Sequence, residues 1–478
     1  MKTHATILCK QFTPQGIISV PPSKSIAQRA LILASFSETP SQVEHIGSSA
    51  DVNACIDVLT NLGATIRHID PTSKPRSQND TDNHNAKDPY RSVTIKPIEL
   101  QKFSTPLTIQ AQESATLARM LSCIVPGLFT KLNIARESCS AVITGTGTLL
   151  KRPMNKTAMF LETLGLDVSL REHKWLPMKL QGNFRPGSHH INELDSSQPV
   201  SGAIIGLSLL DSDSKIYIRE QPSIPYSLLT AHLANLFGAQ ITYDIQNAMW
   251  HIKGVQSLHG ITYRVESDWS AASLWLAAAA LHGSITIKNI NLASHQPDRQ
   301  ILELLDSYGA DITITSANSN ESAQSSLRNS NNCTLSLTAN NRRAFTFDCR
   351  DTPDLFPSAC LLAAGCTETS TIHGLKNITG KESNRVETLI TILKKLGASC
   401  SLSDSTLKIK GISHFKNAEL VLPPDHRMCM FALLAACNLA ADASLHLTIA
   451  NGGSFEEVIA KSYPDFLNHY MLVGGLLS

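Results

Sequence analysis

Apolar residues recur at helical spacing in five segments of the chain, and each segment runs directly into a short apolar stretch. The first pattern is typical of a helix with one buried face, and the second of a short strand. In each segment the helical pattern ends in Leu-x-x-Leu-Gly or a close variant, and the five junctions to the strands read LTNLGATI, LETLGLDV, LANLFGAQI, LDSYGADI and LKKLGASC. We therefore predict a repeated βα unit, because stacked copies bury the faces that a single copy leaves exposed.

Each junction places a glycine at the predicted helix end, where a left-handed residue closes the helix and turns the chain into the strand. These glycines are Gly63, Gly165, Gly238, Gly309 and Gly397. A sixth copy is predicted around Phe455 to Leu472, near the end of the chain. The repeat favours an α/β protein.

Length and charge limit the function classes. The 478 residues are 42% hydrophobic and 17% charged, so the chain can bury more than one core and we expect two large domains. A net charge of +1 gives no global field that would draw the protein to nucleic acid or to an anionic membrane. We expect small anionic ligands, met by locally clustered Lys and Arg.

The eleven cysteines form no CxxC pair and no dense regular spacing, which indicates reduced thiols and no zinc site. The amino terminus lacks a signal-like apolar run, and the most apolar stretch, Ser273 to Leu281, is too short to span a bilayer. We therefore expect a cytoplasmic protein. Two polar segments, 71–88 and 317–332, are predicted to be inserted loops, to which we assign no chemistry.

Several predicted helices begin with groups that can bind an anion. In the segment 20–31, Ser23 or Ser25 is either an ordinary helix cap, with Lys24 and Arg29 in solvent, or part of an anion site. In the segment 145–154, Pro153 is expected at the first helical position with Arg152 before it. That segment is either an exposed basic loop or a second anion site.

Hydroxyls and carboxylates stand at further helix starts. The segment 194–202 offers either caps or phosphate donors, and Asp354 is either a cap or an acceptor for a substrate proton. The segments 381–385, 425–428 and 461–466 each contain Lys or Arg near a carboxylate. If these helix starts converge, they form a cleft rich in cations that suits a pair of anionic ligands.

These motifs resemble, in order and over nearly the whole length, those of the 5-enolpyruvylshikimate-3-phosphate synthase family. The matching stretches are SKSIAQRAL, RPM, SSQ, SIPY, VESDWSAAS, TPD, KESNR, DHRMCM and KSYPDF. DHRM together with KSYPDF is the most discriminating pair. The resemblance implies an enzyme that transfers the enolpyruvyl group of phosphoenolpyruvate to the 5-hydroxyl of shikimate 3-phosphate, releasing phosphate, with no metal or organic cofactor.

The resemblance also implies a two-domain inside-out α/β barrel, with three βαβαββ repeats in each domain. One domain would comprise residues 1–20 and 262–478, and the other residues 21–261, with the active-site cleft between them. A monomer is expected, with small-molecule substrates, no nucleic acid and no membrane partner.

The resemblance assigns substrate contacts residue by residue. The residues implied for shikimate 3-phosphate are Lys24, Ser25, Arg29, Ser196, Ser197, Gln198, Ser223, Asp354, Asn377 and Lys381. Those implied for phosphoenolpyruvate are Lys24, Ala115, Arg152, Gln198, Arg385, Arg427 and Lys461. Asp354 would take the proton of the 5-hydroxyl, Glu382 would protonate the methylene carbon, and Lys381 would contribute to either step.

The chain departs from the family pattern in two places. Glu113-Ser114-Ala115-Thr116 stands where members commonly read Asn-Ala-Gly-Thr, so the loop carries a carboxylate and an extra methyl group. We expect Ala115 to narrow the phosphoenolpyruvate pocket and to reduce sensitivity to glyphosate, which competes for that pocket in this family. Ile224 stands where many members have a basic residue.

Three alternatives stay open from the sequence. The related transferase that acts on UDP-N-acetylglucosamine usually has a Lys-Asn pair near its amino terminus and a reactive loop cysteine, whereas this chain has Ser23-Lys24-Ser25. A non-catalytic binding protein on the same fold is favoured only by the altered loop at Glu113. A repeat scaffold for protein partners would have no convergent charges.

Overall fold

A computed structural model describes residues 5–69, 90–99, 105–171, 175–254, 257–316 and 333–478. The two polar segments predicted to be inserted loops, 71–88 and 317–332, lie outside these residues. Among the described helices, none is long and apolar enough to cross a membrane.

The strands of the described residues are mostly short. They are β1 Thr6–Lys10, β2 Gln15–Ile18, β3 Ser41–Ile46, β4 Thr65–Ile69, β5 Arg91–Lys96, β6 Leu107–Gln110, β7 Ser140–Thr144, β8 Asp167–Leu170, β9 Met178–Gln181, β10 Gly187–Glu193, β11 Ser214–Glu220, β12 Ile241–Asp244, β13 Met249–Ile252, β14 Thr262–Arg264, β15 Ser284–Ile290, β16 Asp311–Ser316, β17 Cys333–Thr338, β18 Thr346–Asp348, β19 Thr369–His373, β20 Ser399–Ser403, β21 Thr406–Lys410, β22 Ala418–Leu422 and β23 Ser444–Ile449.

The helices alternate with these strands. They are α1 Lys24–Phe36, α2 Ala50–Asn61, α3 Ala115–Lys131, α4 Asn155–Thr163, α5 Gln198–Ser208, α6 Ile224–Leu236, α7 Trp269–Leu281, α8 Ile301–Tyr308, α9 Phe356–Ala364, α10 Arg385–Leu396, α11 His426–Ala435, α12 Phe455–Ile459 and α13 Phe466–Leu472.

One repeated unit explains most of the sheets. In the sheet β6-β7-β9-β8, the strands β6 and β7 are parallel and are connected through α3, and β9 lies antiparallel to both β7 and β8. The sheets β10-β11-β13-β12 and β18-β19-β21-β20 have the same pairing pattern, each with one helix after the first strand and another after the second. The predicted α/β class is confirmed, whereas the barrel arrangement stays a prediction.

Two sheets take their first strand from a distant part of the chain. β2 pairs in parallel with β15, and β14 pairs in parallel with β3. The amino-terminal β1 completes a three-stranded sheet with β22 and β23. In agreement with these pairings, the chain divides into two compact units, Met1–Pro21 with Glu266–Ser478, and Pro22–Val265. We call them the outer-segment unit and the inner-segment unit.

Each unit has its own apolar core around a helix without a polar face. All residues of α7 are buried in the outer-segment unit, and α5 is buried from Pro199 to Ser208 in the inner-segment unit. Two glycines of α5 allow α3 to approach closely, because a Cβ atom at Gly202 or Gly206 would lie 2.4 Å from the backbone of α3. Larger residues at these positions would force the two helices apart.

The predicted helix-ending glycines all have the left-handed conformation. Their φ angles are 105° at Gly63, 109° at Gly165, 100° at Gly238, 91° at Gly309 and 105° at Gly397. A short helix pair, α12 and α13, occupies the segment predicted to hold a sixth copy. The five predicted helix-to-strand junctions are confirmed, because β4, β8, β12, β16 and β20 each begin two or three residues after one of these glycines. The sixth copy is not formed as predicted, since no strand follows α13 in the described residues.

Candidate functional site

The predicted site residues lie in two groups, one in each unit. The first group lies in the inner-segment unit, at the amino-terminal ends of α1, α3, α5 and α6 and in the segment before α4. We call it the hydroxyl–cation cluster, and its members are Lys24, Ser25, Arg29, Ala115, Arg152, Ser196, Ser197, Gln198 and Ser223. The second group lies in the outer-segment unit and is described below.

The start of α1 carries the first cation of this cluster. Lys24 Nζ donates to Asp51 Oδ2 at 2.9 Å, and both side chains are largely buried. Ser23 precedes the helix, but its side chain makes no capping hydrogen bond. Gln28 Nε2 donates to Ser114 Oγ at 2.9 Å and thereby ties α1 to the start of α3. The ordinary-cap interpretation of Ser23 is therefore wrong.

Arg29 is a fully buried cation among hydroxyl groups. Its Nε donates to Thr230 Oγ1 at 2.6 Å and its Nη1 to the carbonyl oxygen of Ser25 at 2.8 Å. Burial lowers the pKa of Arg29 to about 10, although interaction with Tyr226 opposes this effect. At neutral pH the guanidinium keeps its charge, and it is held in one orientation by uncharged partners.

Gln198 connects the start of α5 to the start of α3. It is the first residue of α5, its Oε1 accepts from Arg119 Nη1 at 3.0 Å, and its Nε2 donates to Thr116 Oγ1 at 2.8 Å. Arg119 Nη2 also donates to the carbonyl oxygen of Pro153 at 2.8 Å, next to the buried Arg152. The amino-terminal ends of α3 and α5 and the segment that carries Arg152 are thus held together.

Neither Ser197 nor Ser223 caps the helix that it precedes. Ser197 precedes α5 without a side-chain capping bond, and Ser196 Oγ accepts from the backbone N–H of Gln198 at 3.2 Å. Ser223 precedes α6 with a left-handed φ of 55° and also makes no side-chain cap. A non-glycine residue in this conformation is uncommon and is often found at functional sites.

One local prediction is wrong. Pro153 was expected at the first position of α4, but the helix begins at Asn155 and Met154 precedes it. Residues Gly147–Lys151 form a 3₁₀ turn, which Arg152 follows directly. Arg152, Pro153 and Met154 therefore lie between the 3₁₀ turn and the helix, an arrangement that the proline signal did not indicate.

The second group is a set of interlocked carboxylates and cations. We call it the acid–guanidinium cluster, and its members are Asp354, Glu382, Ser383, Arg385, Asp425, Arg427 and Lys461. Asp354 Oδ1 accepts from Arg385 Nη1 at 3.0 Å, and its Oδ2 accepts from Arg427 Nη2 at 3.0 Å. Asp354 retains 25% side-chain exposure, whereas Arg385 retains 2%.

The surroundings of Asp354 favour its ionised form. Burial alone would raise its pKa, but the charges of Arg427, Lys381 and Arg385 outweigh burial and hold the pKa well below the ordinary range. Asp354 lies in a 3₁₀ turn before α9 and does not cap that helix. The capping interpretation of Asp354 is therefore wrong, because its carboxylate pairs with Arg385 and Arg427 instead.

Asp425 is the buried anchor of the cluster, with no exposed side-chain surface. Its Oδ2 accepts from Arg385 Nε at 2.8 Å and from Ser383 Oγ at 3.0 Å. Its Oδ1 accepts from Arg385 Nη2 at 3.2 Å and caps α11 through the backbone N–H of Arg427 at 3.0 Å. One carboxylate therefore orients one arginine and fixes the backbone that carries the other.

Glu382 links Arg385 to Lys461 in the carboxyl-terminal motif. Its Oε2 accepts from Arg385 Nη2 at 2.8 Å, and its Oε1 lies 3.8 Å from Lys461 Nζ.

Arg427 has a further partner on α7, because its Nη2 donates at 2.5 Å to Ser270 Oγ on the first turn of that helix. Asn377, in the 3₁₀ turn Leu375–Asn377, is only partly buried.

Within the described ranges, no three His, Cys, Asp or Glu side chains are grouped as a metal ion would require.

A sequence profile of EPSP synthase (3-phosphoshikimate 1-carboxyvinyltransferase) matches residues 11–470. The chain belongs to the EPSP synthase family. The predicted family and the predicted enzyme class, an enolpyruvyl transferase of the shikimate pathway, are thereby confirmed.

Individual relatives agree with this assignment. The 3-phosphoshikimate 1-carboxyvinyltransferase of Clostridium acetobutylicum is 30% identical over 98% of this chain and 97% of its own length. The enzyme of the same name from Clostridium botulinum is 29% identical over 96% of this chain and 95% of its own length. EPSP synthase from Acinetobacter baumannii shares the fold, with a TM-score of 0.70 at 19% identity over 99% of both chains.

Sequence reasoning about this EPSP synthase family member missed several residues that hold the predicted site residues in place. Asp51 pairs with Lys24, Arg119 holds Gln198, and Ser270 holds Arg427. Each of the three lies far along the chain from its partner. Asp51 is near the start of α2, whereas Arg119 and Ser270 fall in none of the charged helix starts. Ser270 was part of the matched stretch VESDWSAAS, but that stretch was assigned no role.

Proposed function

We propose that this chain transfers the enolpyruvyl group of phosphoenolpyruvate to the 5-hydroxyl of shikimate 3-phosphate, with release of phosphate and without metal or organic cofactor. The observation that carries the proposal is the ionised, partly exposed Asp354 between two guanidinium groups. Membership of the EPSP synthase family supports the same reaction. An ionised carboxylate is the form that a general base requires.

We assign shikimate 3-phosphate to hydroxyl groups and fixed cations. The assigned residues are Lys24, Ser25, Arg29, Ser196, Ser197, Gln198, Ser223, Asp354, Asn377 and Lys381. Ser197 supports the assignment, because a hydroxyl that makes no helix cap can donate to a phosphate. Arg29 suits a carboxylate because its position is already fixed by Thr230 and by the backbone of Ser25.

We assign phosphoenolpyruvate to the residues Lys24, Ala115, Arg152, Gln198, Arg385, Arg427 and Lys461. The substrate carries a carboxylate and a phosphate, and planar guanidinium groups bind both in a bidentate manner. Arg385 and Arg427 are held rigidly by Asp425 and Ser270. Cations oriented in advance stabilise the charge that develops on the departing phosphate.

The proton transfers fall to the acid–guanidinium cluster. Asp354 takes the proton of the attacking 5-hydroxyl, and Glu382 protonates the methylene carbon, with Lys381 able to assist either step. An anion that draws Arg385 and Arg427 away from Asp354 makes this carboxylate a stronger base. Binding of phosphoenolpyruvate thus prepares Asp354 to accept a proton.

The test is phosphate release from the purified protein with both substrates and a chelator present. We expect release that requires both substrates and that is lost in Asp354→Ala and Lys24→Ala. Asp348→Ala is the matched control, since Asp348 pairs only at the surface with Arg350 and should leave release unchanged.

Absence of release with shikimate 3-phosphate would refute the proposed reaction. Release with UDP-N-acetylglucosamine instead would indicate the related transferase, and inertness with both acceptors would indicate a binding protein on an enzyme's fold.

A further inference from the structure

The carboxylate at the altered loop position, Glu113, contacts a neighbouring turn of its own unit. Its Oε2 accepts from Thr148 Oγ1 at 2.7 Å and from the backbone N–H of Thr148 at 3.4 Å. The two backbone segments are also paired here, because Ala111 N donates to Thr144 O at 2.9 Å and Thr146 N donates to Gln112 O at 2.8 Å. Glu113 therefore adds a charged side-chain link to this backbone pairing.

The carboxylate of Glu113 fits in this place because the residue opposite it, Gly147, has no side chain. Gly147 has a φ of 55°, and a Cβ atom on it would lie 2.1 Å from Glu113 Oε1. The side chain of Glu113 thus packs directly against the bare backbone at the start of the 3₁₀ turn Gly147–Lys151. Sequence alone suggested a carboxylate in the substrate loop, whereas the structure shows it engaged by the turn.

This turn leads straight to Arg152. The backbone N–H of Arg152 donates to Leu149 O at 3.1 Å, so the arginine is fixed to the turn that Glu113 holds. On the other side, Arg119 donates to the carbonyl oxygen of Pro153. Arg152 is therefore bracketed by two side-chain links, both of which come from the segment that begins α3.

The same segment carries Ala115, the first residue of α3. We propose that Glu113 is a positioning residue, which fixes Arg152 relative to the amino terminus of α3 and so sets the geometry of the phosphoenolpyruvate subsite. The inference rests on the proposed function, which assigns Ala115 and Arg152 to this substrate. A pre-fixed cation binds an anion more tightly because less freedom is lost on binding.

Kinetics of three variants test the role. We expect Glu113→Ala to raise the KM for phosphoenolpyruvate by about tenfold, the effect of losing one hydrogen bond to a charged group. The KM for shikimate 3-phosphate should change by less than about twofold. Glu113→Gln, which keeps an acceptor oxygen, should recover most of the loss, and Glu162→Ala, an exposed carboxylate on α4, is the matched control.

Thr148→Val removes the hydroxyl that donates to Glu113 but leaves the charge of Glu113 in place, so it distinguishes the hydrogen bond from the charge. If the link acts, this variant reproduces Glu113→Ala, and the double variant is no worse than either single variant, since residues that share one interaction are not additive. Additive effects, or equal changes in both KM values, would overturn the proposal. They would show that Glu113 acts through its charge or through general stability.

A second measurement does not depend on activity. Hydrogen exchange of the backbone amides of residues 146–152 should be faster in Glu113→Ala than in the wild type, both free of substrate. Unchanged exchange would overturn the link whatever the activity. If exchange is faster in Glu113→Ala but the wild type releases no phosphate, the link between Glu113 and the turn stands. The substrate part of the inference is then refuted together with the proposed function.

Discussion

Asp425→Asn tests the buried anchor of the acid–guanidinium cluster. The substitution keeps the shape of the side chain and the oxygen that caps α11 through the N–H of Arg427. It replaces the other oxygen by an amide NH₂ group, which then faces two donors, Arg385 Nε at 2.8 Å and Ser383 Oγ at 3.0 Å. A buried ion pair is broken, and two donors lose their acceptor.

The loss of stability expected in Asp425→Asn depends on the burial of the ion pair and on the partners that Arg385 keeps. Removing one partner of a buried ion pair costs about 3 to 5 kcal/mol. Arg385 keeps its contacts to Asp354 and Glu382, so we expect a loss near the lower end, about 3 kcal/mol. For a unit of this size, each kcal/mol lowers the melting temperature by about 2 to 4 °C. The expected fall is therefore about 6 to 12 °C.

The assay is thermal unfolding at pH 7, followed by calorimetry so that separate transitions of the two units are resolved. Asp306→Asn, an exposed aspartate on α8 of the same unit, is the matched control and should change the melting temperature by less than about 2 °C. Asp425→Ala should cost about 1 kcal/mol more, because the helix cap is also lost. A fall in Asp425→Asn no larger than that of the control would refute the reasoning.

Three further changes test separate features. Arg29→Lys should weaken shikimate 3-phosphate binding at least tenfold in direct titration, with phosphoenolpyruvate binding unchanged, because an ammonium cannot keep both the Thr230 and the Ser25 contacts. Ala115→Gly should lower the half-inhibitory glyphosate concentration about tenfold or more, the effect of one methyl group in a pocket; unchanged inhibition would contradict it. Asp354→Asn should lose stability relative to wild type by an amount that is constant above pH 5 and shrinks below about pH 4. Folding lowers the pKa of Asp354, so the stability that its ionised form contributes is present above the pKa of the unfolded chain and is lost as the pH falls towards the folded pKa. Denaturant unfolding of both proteins at several pH values measures the stability difference. A difference that grows in acid would contradict the expected sign.

Local signals in the sequence predicted the repeat well. A left-handed glycine at a helix end depends on a few neighbouring residues, so Gly63 and Gly397 could be recognised from the sequence alone. The start of α11 could be recognised for the same reason, since Asp425 caps it through a residue two positions away. Features set within one turn of the chain are the ones that sequence patterns record.

Contacts between distant residues could not be predicted in this way. The sequence does not show that Lys24 pairs with Asp51, or that Glu113 turns towards Thr148, because these contacts depend on how separate segments pack. The pairing of β2 with β15 joins residues more than 250 positions apart, and the repeat pattern alone does not specify this partner. Pro153 misled for a local reason, since Pro153 and Met154 stay outside the helix, which begins only at Asn155.

The two aspartates of the acid–guanidinium cluster hold its arginines in different ways. Asp425 has no exposed side-chain surface and holds Arg385 permanently, since an unpaired guanidinium at 2% exposure would be strongly destabilising. Asp354 pairs with the outer nitrogens of Arg385 and Arg427 but keeps 25% of its side-chain surface in solvent. Under the proposed assignment of phosphoenolpyruvate to these arginines, the bound anion would compete with Asp354 for them and would leave Asp425 in place. The pairs that hold the pKa of Asp354 low in the free protein are the ones that an anionic substrate would weaken, so in the proposed reaction the strength of Asp354 as a base would depend on substrate binding.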